Sequence, residues 1–274
     1  MCDAAIPSYD MRDDVFLNNR IATQTTLAMT SNFMTDRIII ALDYRSREEA
    51  LKLVENLSGI ISFYKVGLEL YVSAGPEIIR ELKAKDLKVF LDLKFFDIPN
   101  TTAKAGRAAA SLGVDIFNLH LLAGQEALAA AKNAVQEEAA RLNRPAPKVL
   151  GVTILTSSSG AEWRELGFDY AVPELAMRLT ERAKAAGLDG VVASAQDAAA
   201  IKKNFGKDFL VVSPGIRPNI PPSSAGEARW GGKDDQKRTL SAKEAFAAGS
   251  DYIVVGRPVT RAPDPKKACL GLLK

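Results

Sequence analysis

The feature that most constrains the fold of this chain is a series of eight short apolar runs that alternate with helix-like segments from residue 37 onward. The runs are rich in Ile, Val and Phe, which favour β-strands. They are also continuously apolar, as is typical of parallel strands that are covered on both faces. The eight predicted strands are RIIIALD (37–43), ISFYKVG (61–67), KVFLD (88–92), DIFNLH (115–120), KVLGVTI (148–154), GVVAS (190–194), FLVVS (209–213) and DYIVVG (251–256).

The segments between these runs carry apolar residues at helical spacing, as in SREEALKLVENL (46–57) and PELAMRLTERAKAAG (173–187). Eight strand–helix units without a Gly-x-Gly-x-x-Gly fingerprint favour a closed (β/α)₈ barrel over a doubly wound sheet. About 240 residues follow the first 36, and about 250 are typical of this barrel. We therefore predict an α/β fold with a single TIM-barrel domain at 37–274 and an N-terminal extension at 1–36.

Composition narrows the partners and the compartment. The formal net charge of +3 is too small to indicate nucleic acid or a membrane surface as a partner. The two cysteines, Cys2 and Cys269, lie near opposite termini and do not suggest a disulfide framework, which favours a reducing cytoplasm. No apolar run is long enough to span a bilayer, and residues 1–36 lack the apolar core of a signal peptide. These features predict a cytoplasmic protein with neither nucleic acid nor membrane as a partner.

Polar side chains close or immediately follow the predicted strands. In a TIM barrel the chemistry lies at the carboxyl ends of the strands, where the βα loops gather. Strand ends are often polar, so any one of these residues alone indicates little. Eight strands that all end in this way predict a site, and its candidate residues are Asp43, Lys65, Asp92 with Lys94, His120, Thr156, Ser194, Arg217 and Arg257.

The charged segment DLKFFDIPNT (92–101) follows directly on the third apolar run. Strand residues alternate between faces, so Asp92 and Lys94 are expected to point together into the barrel mouth, close to Lys65. One interpretation is an ion-pair network that caps the barrel, although buried ion pairs are weak evidence for stability. The other is chemistry that discards a negative group and delivers a proton to the carbon left behind, with Lys94 as the proton source. Asn100 or Thr101 is the expected N-cap of the helix that follows.

Two glycine–arginine segments follow the last two strands, SPGIRP (213–218) and VVGRPV (254–259). The corresponding loops of a TIM barrel frequently bind phosphate through glycine amides. Arg257 adds a guanidinium group that can donate two parallel hydrogen bonds to a phosphate. Gly215 and Arg217 support the same interpretation, so a phosphorylated substrate is predicted. The long connection at 219–238 is either an active-site lid or a surface loop. His120 lies either at the rim of the site or in a structural hydrogen bond, and no His/Cys cluster has metal-ligand spacing.

These segments resemble the orotidine 5′-phosphate decarboxylase family, which makes UMP at the end of pyrimidine synthesis. DLKFFDIPNT is similar to the family signature Asp-x-Lys-x-x-Asp-Ile-Pro-Asn-Thr, whose last four residues separate it from related sugar-phosphate enzymes. The resemblance extends from Arg37 through IIIALD, KVG, Thr156–Ser157, PGIRP, DDQKR and VVGRP, in that order. It implies the bacterial type of the enzyme, a homodimer, and a reaction on orotidine 5′-monophosphate without metal or cofactor.

The resemblance also implies roles for individual residues. Lys94 would protonate C6 of the pyrimidine, Asp92 would face the departing carboxylate, and Lys65 with Asp43 would hold the ribose hydroxyls and complete the charged array. Asp97 and Thr101 would reach into the site of the partner subunit. The remaining substrate contacts would be made by Thr156 and Ser157 at the base, by Gln236 from the 219–238 connection, and by Arg217, Gly256 and Arg257 at the phosphate.

Two other functions stay open from the sequence. One is another decarboxylase or aldolase of the same superfamily that acts on a sugar phosphate with a magnesium ion. The other is a catalytically inactive barrel that binds nucleotides or partners, against which the intact Asp92–Lys94–Asp97 array argues.

Overall fold

Eight parallel strands close into one barrel in the computed structural model, which describes residues 35–217 and 238–272. Each strand pairs with its neighbours in chain order, and β8 pairs with β1. The predicted TIM barrel is therefore confirmed. Each predicted run corresponds to one strand, and β3 extends three residues beyond its predicted run. The strands are β1 (Ile38–Ala41), β2 (Phe63–Gly67), β3 (Lys88–Phe95), β4 (Ile116–His120), β5 (Lys148–Val152), β6 (Gly190–Val192), β7 (Leu210–Ser213) and β8 (Tyr252–Val255).

Helices follow the strands and cover the outside of the barrel. The two helical segments predicted from spacing are observed at Arg47–Asn56 and Val172–Ala185. Most of the expected extension at 1–36, and all of 219–238 except Arg238, lie outside the described residues. The helices are α1 (Arg47–Asn56), α2 (Leu68–Ala74), α3 (Glu77–Ala84), α4 (Pro99–Ser111), α5 (Gln125–Arg141), α6 (Gly160–Glu165), α7 (Val172–Ala185), α8 (Ala195–Phe205), α9 (Ala242–Ala247), α10 (Arg257–Thr260) and α11 (Pro265–Gly271), with a 3₁₀ turn at Leu121–Ala123.

Alternate residues of each strand enter two separate apolar layers. On β1, Ile38 and Ile40 pack outward against the helices, whereas Ile39 and Ala41 fill the barrel interior. Phe63 and Phe90 also lie in the interior layer. The residues two positions further along β2 and β3 are Lys65 and Asp92, so the same inward face becomes charged at the carboxyl end of the barrel.

At the amino ends of the strands, charged side chains hold neighbouring elements of the barrel together. An aspartate directly precedes β4, β6 and β8, and its Oδ2 accepts hydrogen bonds from a backbone N–H of the preceding strand and from a helix lysine. Each such carboxylate ties two strands and one helix together, so these charges have a structural role. The three sets are Asp115 with Val89 and Lys83, Asp189 with Val149 and Lys132, and Asp251 with Val211 and Lys202.

The end of β3 departs from a regular strand. Leu91 pairs with Phe117 and Phe95 pairs with Leu119, so β3 uses two more residues than β4 over this interval. Lys94, within the interval, has a φ of 51° in the left-handed region. The sequence predicted that Asp92 and Lys94 lie together because strand residues alternate between faces. Their proximity instead depends on this irregular segment of β3.

The start of α4 also differs from expectation. The N-cap is Ile98, and Asn100 and Thr101 lie in the first turn, so the prediction that either caps the helix is wrong. Pro99 suits the first helical position because its φ is fixed and it has no N–H to satisfy. Thr102 Oγ1 donates hydrogen bonds to the carbonyl oxygens of Asp97 and Ile98, at 2.9 and 3.0 Å.

Candidate active site

Four side chains at the ends of β1, β2 and β3 form a row of alternating charge. The Lys65 ammonium lies 2.9 Å from Asp43 Oδ1 and 3.4 Å from Asp92 Oδ2. On the other side of Asp92, the Lys94 ammonium lies 2.6 Å from Oδ1. The side chains of Lys65 and Asp92 are 10% and 13% exposed, whereas that of Lys94 is 31% exposed. Of the two lysines that contact Asp92, Lys94 is therefore the more accessible to a ligand.

The array keeps its buried members charged. Burial opposes ionisation of Asp92, but the charges of Lys65 and Lys94 and the hydrogen bonds from Lys94 and Asn118 outweigh it and lower the pKa of Asp92. Burial likewise opposes the charge of Lys65, but Asp92 and Asp43 outweigh it and raise the pKa of Lys65. Both shifts favour the charged forms, the Asp92 carboxylate and the Lys65 ammonium, in the interior of the barrel mouth.

Lys65 lies where two cavities meet, and it lines both, together with Pro214 and Val254. The first cavity, of about 280 Å³, opens over β1, β2, β7 and β8. The second, of about 290 Å³, opens over β3, β5 and β6 and contains Asp92 and Lys94. The middle of one elongated ligand could therefore contact the charged side chains while its two ends occupy the two cavities.

The first cavity is rich in cations. Arg217, Arg257 and Arg261 line it with Lys65, against the two carboxylates Asp43 and Glu69. Gly215 and Gly256 bring backbone to its wall, and Gly215 has a φ of 75°, which favours glycine. An excess of cations beside close backbone suits an anionic group such as a phosphate.

The second cavity has a largely apolar lining that also includes polar side chains. Its walls include the side chains of Phe90, Val152 and Val192. Thr156 and Ser157 lie in the loop after β5 and also line it, and their predicted contact with a base stays a prediction. This combination suits a flat ring that carries polar atoms at its edge.

Asp97 and Thr101 are not part of this array within one chain. Both are exposed, neither lines either cavity, and Asp97 Oδ1 accepts a hydrogen bond from the N–H of Ile98 at 2.7 Å. Their predicted role in a partner subunit stays a prediction. Gln236 lies outside the described residues.

Comparisons with known proteins show which family the chain belongs to. Residues 36–271 match the model of the Orotidine 5'-phosphate decarboxylase / HUMPS family. The chain belongs to this family. A curated relative from Nostoc sp., named orotidine 5'-phosphate decarboxylase, is 44% identical over 85% of this chain and 94% of its own length. Another of the same name from Moorella thermoacetica is 46% identical over 85% and 89%.

A solved structure of a family member has the same overall fold. The crystal structure of orotidine 5'-phosphate decarboxylase from Lactobacillus acidophilus superposes with a TM-score of 0.72 at 35% identity, and covers 87% of this chain and 97% of that one. Within the residues described for the present family member, no group of three or more His, Cys, Asp or Glu side chains is arranged to hold a metal ion. No helix in 35–217 or 238–272 is long and apolar enough to cross a membrane.

Two further residues of this orotidine 5′-phosphate decarboxylase family member adjoin the array. Asn118 on β4 is buried and contacts both Asp92 and Lys94, a role that the sequence analysis missed. The signal was present, because Asn118 is a polar residue at an inward position of an apolar run. His120, two residues on, is half-buried; its Nδ1 accepts the N–H of Leu122 at 3.3 Å, and its ring packs against Phe96. Burial and the charge of Lys94 lower the pKa of His120, which favours its neutral form.

Proposed function

We propose that this chain converts orotidine 5′-monophosphate to UMP and carbon dioxide in pyrimidine biosynthesis, without a metal ion or an organic cofactor. The observation that carries the proposal is the position of Lys65, which contacts Asp43 and Asp92 where the cation-rich cavity meets the apolar one. A nucleotide has the matching order of groups, with phosphate, ribose and base in a row. The names of the curated relatives support the same substrate.

The phosphate occupies the cation-rich cavity. Arg217 and Arg257 bind its oxygens, with the backbone at Gly256 close beside it. Guanidinium groups suit this role because they can donate two parallel hydrogen bonds to one phosphate. Asp43 and Lys65 then lie between the phosphate and the reacting carbons, where they bind the ribose hydroxyls. Gln236 contacts the substrate from the 219–238 connection.

The pyrimidine ring occupies the apolar cavity. Thr156 and Ser157 in its lining provide donors and acceptors for the ring's polar edge. This placement brings C6 and its carboxylate to the Asp92–Lys94 pair, which lines the same cavity.

The reaction needs one bond to break and one to form. The bond between C6 and the carboxylate carbon breaks, carbon dioxide leaves, and the electron pair remains on C6. The Lys94 ammonium stabilises the developing negative charge and donates its proton to C6, and the resulting amine is reprotonated from water. Asp92 holds Lys94 and faces the departing carboxylate, and its negative charge disfavours that carboxylate before it leaves.

The active unit is a homodimer in which Asp97 and Thr101 of each chain complete the site of the partner. Exposed apolar side chains surround the same end of the barrel, which supports an interface there. Leu68, Val72, Phe96 and Ile98 are 57%, 81%, 63% and 66% exposed. The compartment that fits this role is the cytoplasm.

Carbon dioxide release from orotidine 5′-monophosphate tests the proposal. The purified chain should release one carbon dioxide for each UMP formed, at the same rate with and without a chelator. A magnesium-dependent enzyme acting on a sugar phosphate, the second candidate from the sequence, would lose its activity with the chelator. A chain that binds UMP but releases no carbon dioxide would instead be a catalytically inactive barrel.

A further inference from the structure

The side-chain amide of Asn118 connects the Asp92 carboxylate to the backbone of Lys94. Its Nδ2 donates a hydrogen bond to Asp92 Oδ1 at 2.7 Å. Its Oδ1 accepts one from the backbone N–H of Lys94 at 2.8 Å. The residue is only 1% exposed, so water does not compete for either contact.

The irregular end of β3 explains why an amide is needed here. Between Leu91 and Phe95 the ladder to β4 is interrupted, and Asn118 is the β4 residue directly opposite the interval. The side-chain oxygen of Asn118 thus satisfies the Lys94 N–H in place of a strand carbonyl. This contact fixes the backbone of Lys94 at its φ of 51°, an uncommon conformation for lysine.

The second contact sets the rotation of the Asp92 carboxylate. Oδ1 accepts hydrogen bonds from both Asn118 and Lys94, which leaves Oδ2 turned toward Lys65 at 3.4 Å. Only a group with one donor and one acceptor serves both neighbours. A flipped amide would place its NH₂ donor against the Lys94 N–H donor, and its oxygen against the Asp92 carboxylate, so neither hydrogen bond could form.

We propose that Asn118 is a positioning residue for the decarboxylation, holding the Lys94 backbone and the Asp92 carboxylate in the geometry that proton delivery requires. The inference rests on the proposed function for its link to turnover. Asn118 lines neither the cation-rich cavity nor the apolar cavity. Its loss should therefore reduce kcat and leave nucleotide binding largely intact.

The first test compares Asn118→Ala with wild type and with Thr180→Ala. Thr180 is a matched control because it is a fully buried polar residue on the outer helix α7 that lines neither cavity, and its Oγ1 donates only to the carbonyl oxygen of Ala176 in the same helix, at 2.8 Å. We expect kcat of Asn118→Ala to fall about 10- to 100-fold, as for the loss of about 1.4–2.8 kcal/mol of transition-state stabilisation. UMP affinity should stay within about threefold of wild type, and Thr180→Ala should keep its kcat. A folded Asn118→Ala with kcat within threefold of wild type, or with equal losses in kcat and UMP affinity, would overturn the proposal.

Asn118→Asp provides a rescue test. Burial and the charge of Asp92 raise the pKa of the introduced carboxyl, and its protonated form can donate to Asp92 and accept from the Lys94 N–H. At pH 6, kcat of Asn118→Asp should exceed that of Asn118→Ala about fivefold or more, and the advantage should narrow toward pH 9. No advantage at pH 6 would overturn the proposal. If Asn118→Ala does not fold, the near-isosteric Asn118→Leu, which lacks both polar groups, replaces it.

A carbon-13 titration of the Asp92 carboxyl tests the contact without turnover. The pKa of Asp92 should be higher in Asn118→Ala than in wild type, because the lost hydrogen bond favoured the carboxylate. An unchanged pKa would overturn the positioning role. A wild-type protein that releases no carbon dioxide would refute the proposed function, and the titration would still test Asn118.

Discussion

The Lys94 ammonium lies 2.6 Å from Asp92 Oδ1 although Lys94 has a left-handed backbone conformation with a φ of 51°. The other non-glycine residues with positive φ in the described chain are Asp86 and Asn143, types that tolerate this region. A lysine in this conformation costs free energy, which the surrounding contacts must offset. The proposed proton donor thus has a backbone geometry imposed by its neighbours.

Gly67 leaves room for the Lys65 ammonium at its observed position. A Cβ at residue 67 would lie 2.7 Å from Lys65 Nζ and 3.1 Å from Asp43 Oδ1, so the flexible end of Lys65 would have to shift away from its place beside Asp43. Gly67→Ala should lower kcat/KM about tenfold, equivalent to about 1.4 kcal/mol. Gly271→Ala is the control, because a Cβ there meets nothing within 4 Å. Wild-type kinetics for Gly67→Ala would show that the Lys65–Asp43 pair tolerates displacement.

Arg257→Ala should weaken the binding of UMP but barely affect uridine, which has no phosphate. Hydrogen bonds to charged groups contribute about 1.5–3 kcal/mol, so a 10- to 100-fold loss of UMP affinity is expected. Calorimetric titration of both ligands measures the difference, and Arg178→Ala is a control at an exposed position that lines neither cavity. Equal weakening for uridine and UMP would assign Arg257 to another role.

Asp189→Ala should destabilise the barrel without changing the chemistry of the folded enzyme. Asp189 Oδ2 accepts hydrogen bonds from Val149 N–H at 2.8 Å and from Lys132 Nζ, whose side chain is 11% exposed. The Lys132–Asp189 pair is only partly buried, with side chains 11% and 20% exposed, so removing one partner should cost about 1–3 kcal/mol, less than the about 3–5 kcal/mol for a fully buried pair. Denaturant unfolding should show this loss, whereas exposed Asp208→Ala should not. A decrease in the free energy of unfolding of less than about 1 kcal/mol would contradict a structural role for the Asp189 carboxylate.

A mixture of two inactive variants tests whether the site is shared between subunits. If Asp97 acts in the partner's site, a mixed dimer of Lys94→Ala and Asp97→Ala contains one site with both defects and one with neither. Free exchange gives about half mixed dimers, so roughly a quarter of wild-type activity should return.

The control mixture combines Lys94→Ala with Asp92→Ala. These residues contact each other within one chain, so every site of every dimer has a defect and no activity should return. Two distinguishable tags establish that subunits exchange. With exchange established, no recovery for the Asp97 mixture would refute the shared site.

The fold was predictable because the strands are continuously apolar and separated by helix-period segments. The proximity of Lys65 to Asp92 was predictable for a related reason, since the carboxyl ends of parallel strands share one rim. The extension of β3 to Phe95 was not, because strand periodicity assumes one residue opposite one residue. Asn118 was read as part of an apolar strand, and its function depends on that irregular register. The N-cap at Ile98 was missed because the preference of proline for the first helical position was not applied.

Turnover of Lys94→Ala tests the central claim most directly. The measurement is carbon dioxide release from orotidine 5′-monophosphate by the folded variant, with exposed Lys104→Ala on α4 as the matched control. General acid catalysis alone contributes about 10²–10⁴-fold, and stabilisation of the negative charge on C6 adds to it. Lys94→Ala should therefore lose at least about 99% of wild-type turnover while Lys104→Ala keeps it. A folded Lys94→Ala that retained more than about a tenth of wild-type turnover would contradict the account and remove Lys94 from the mechanism.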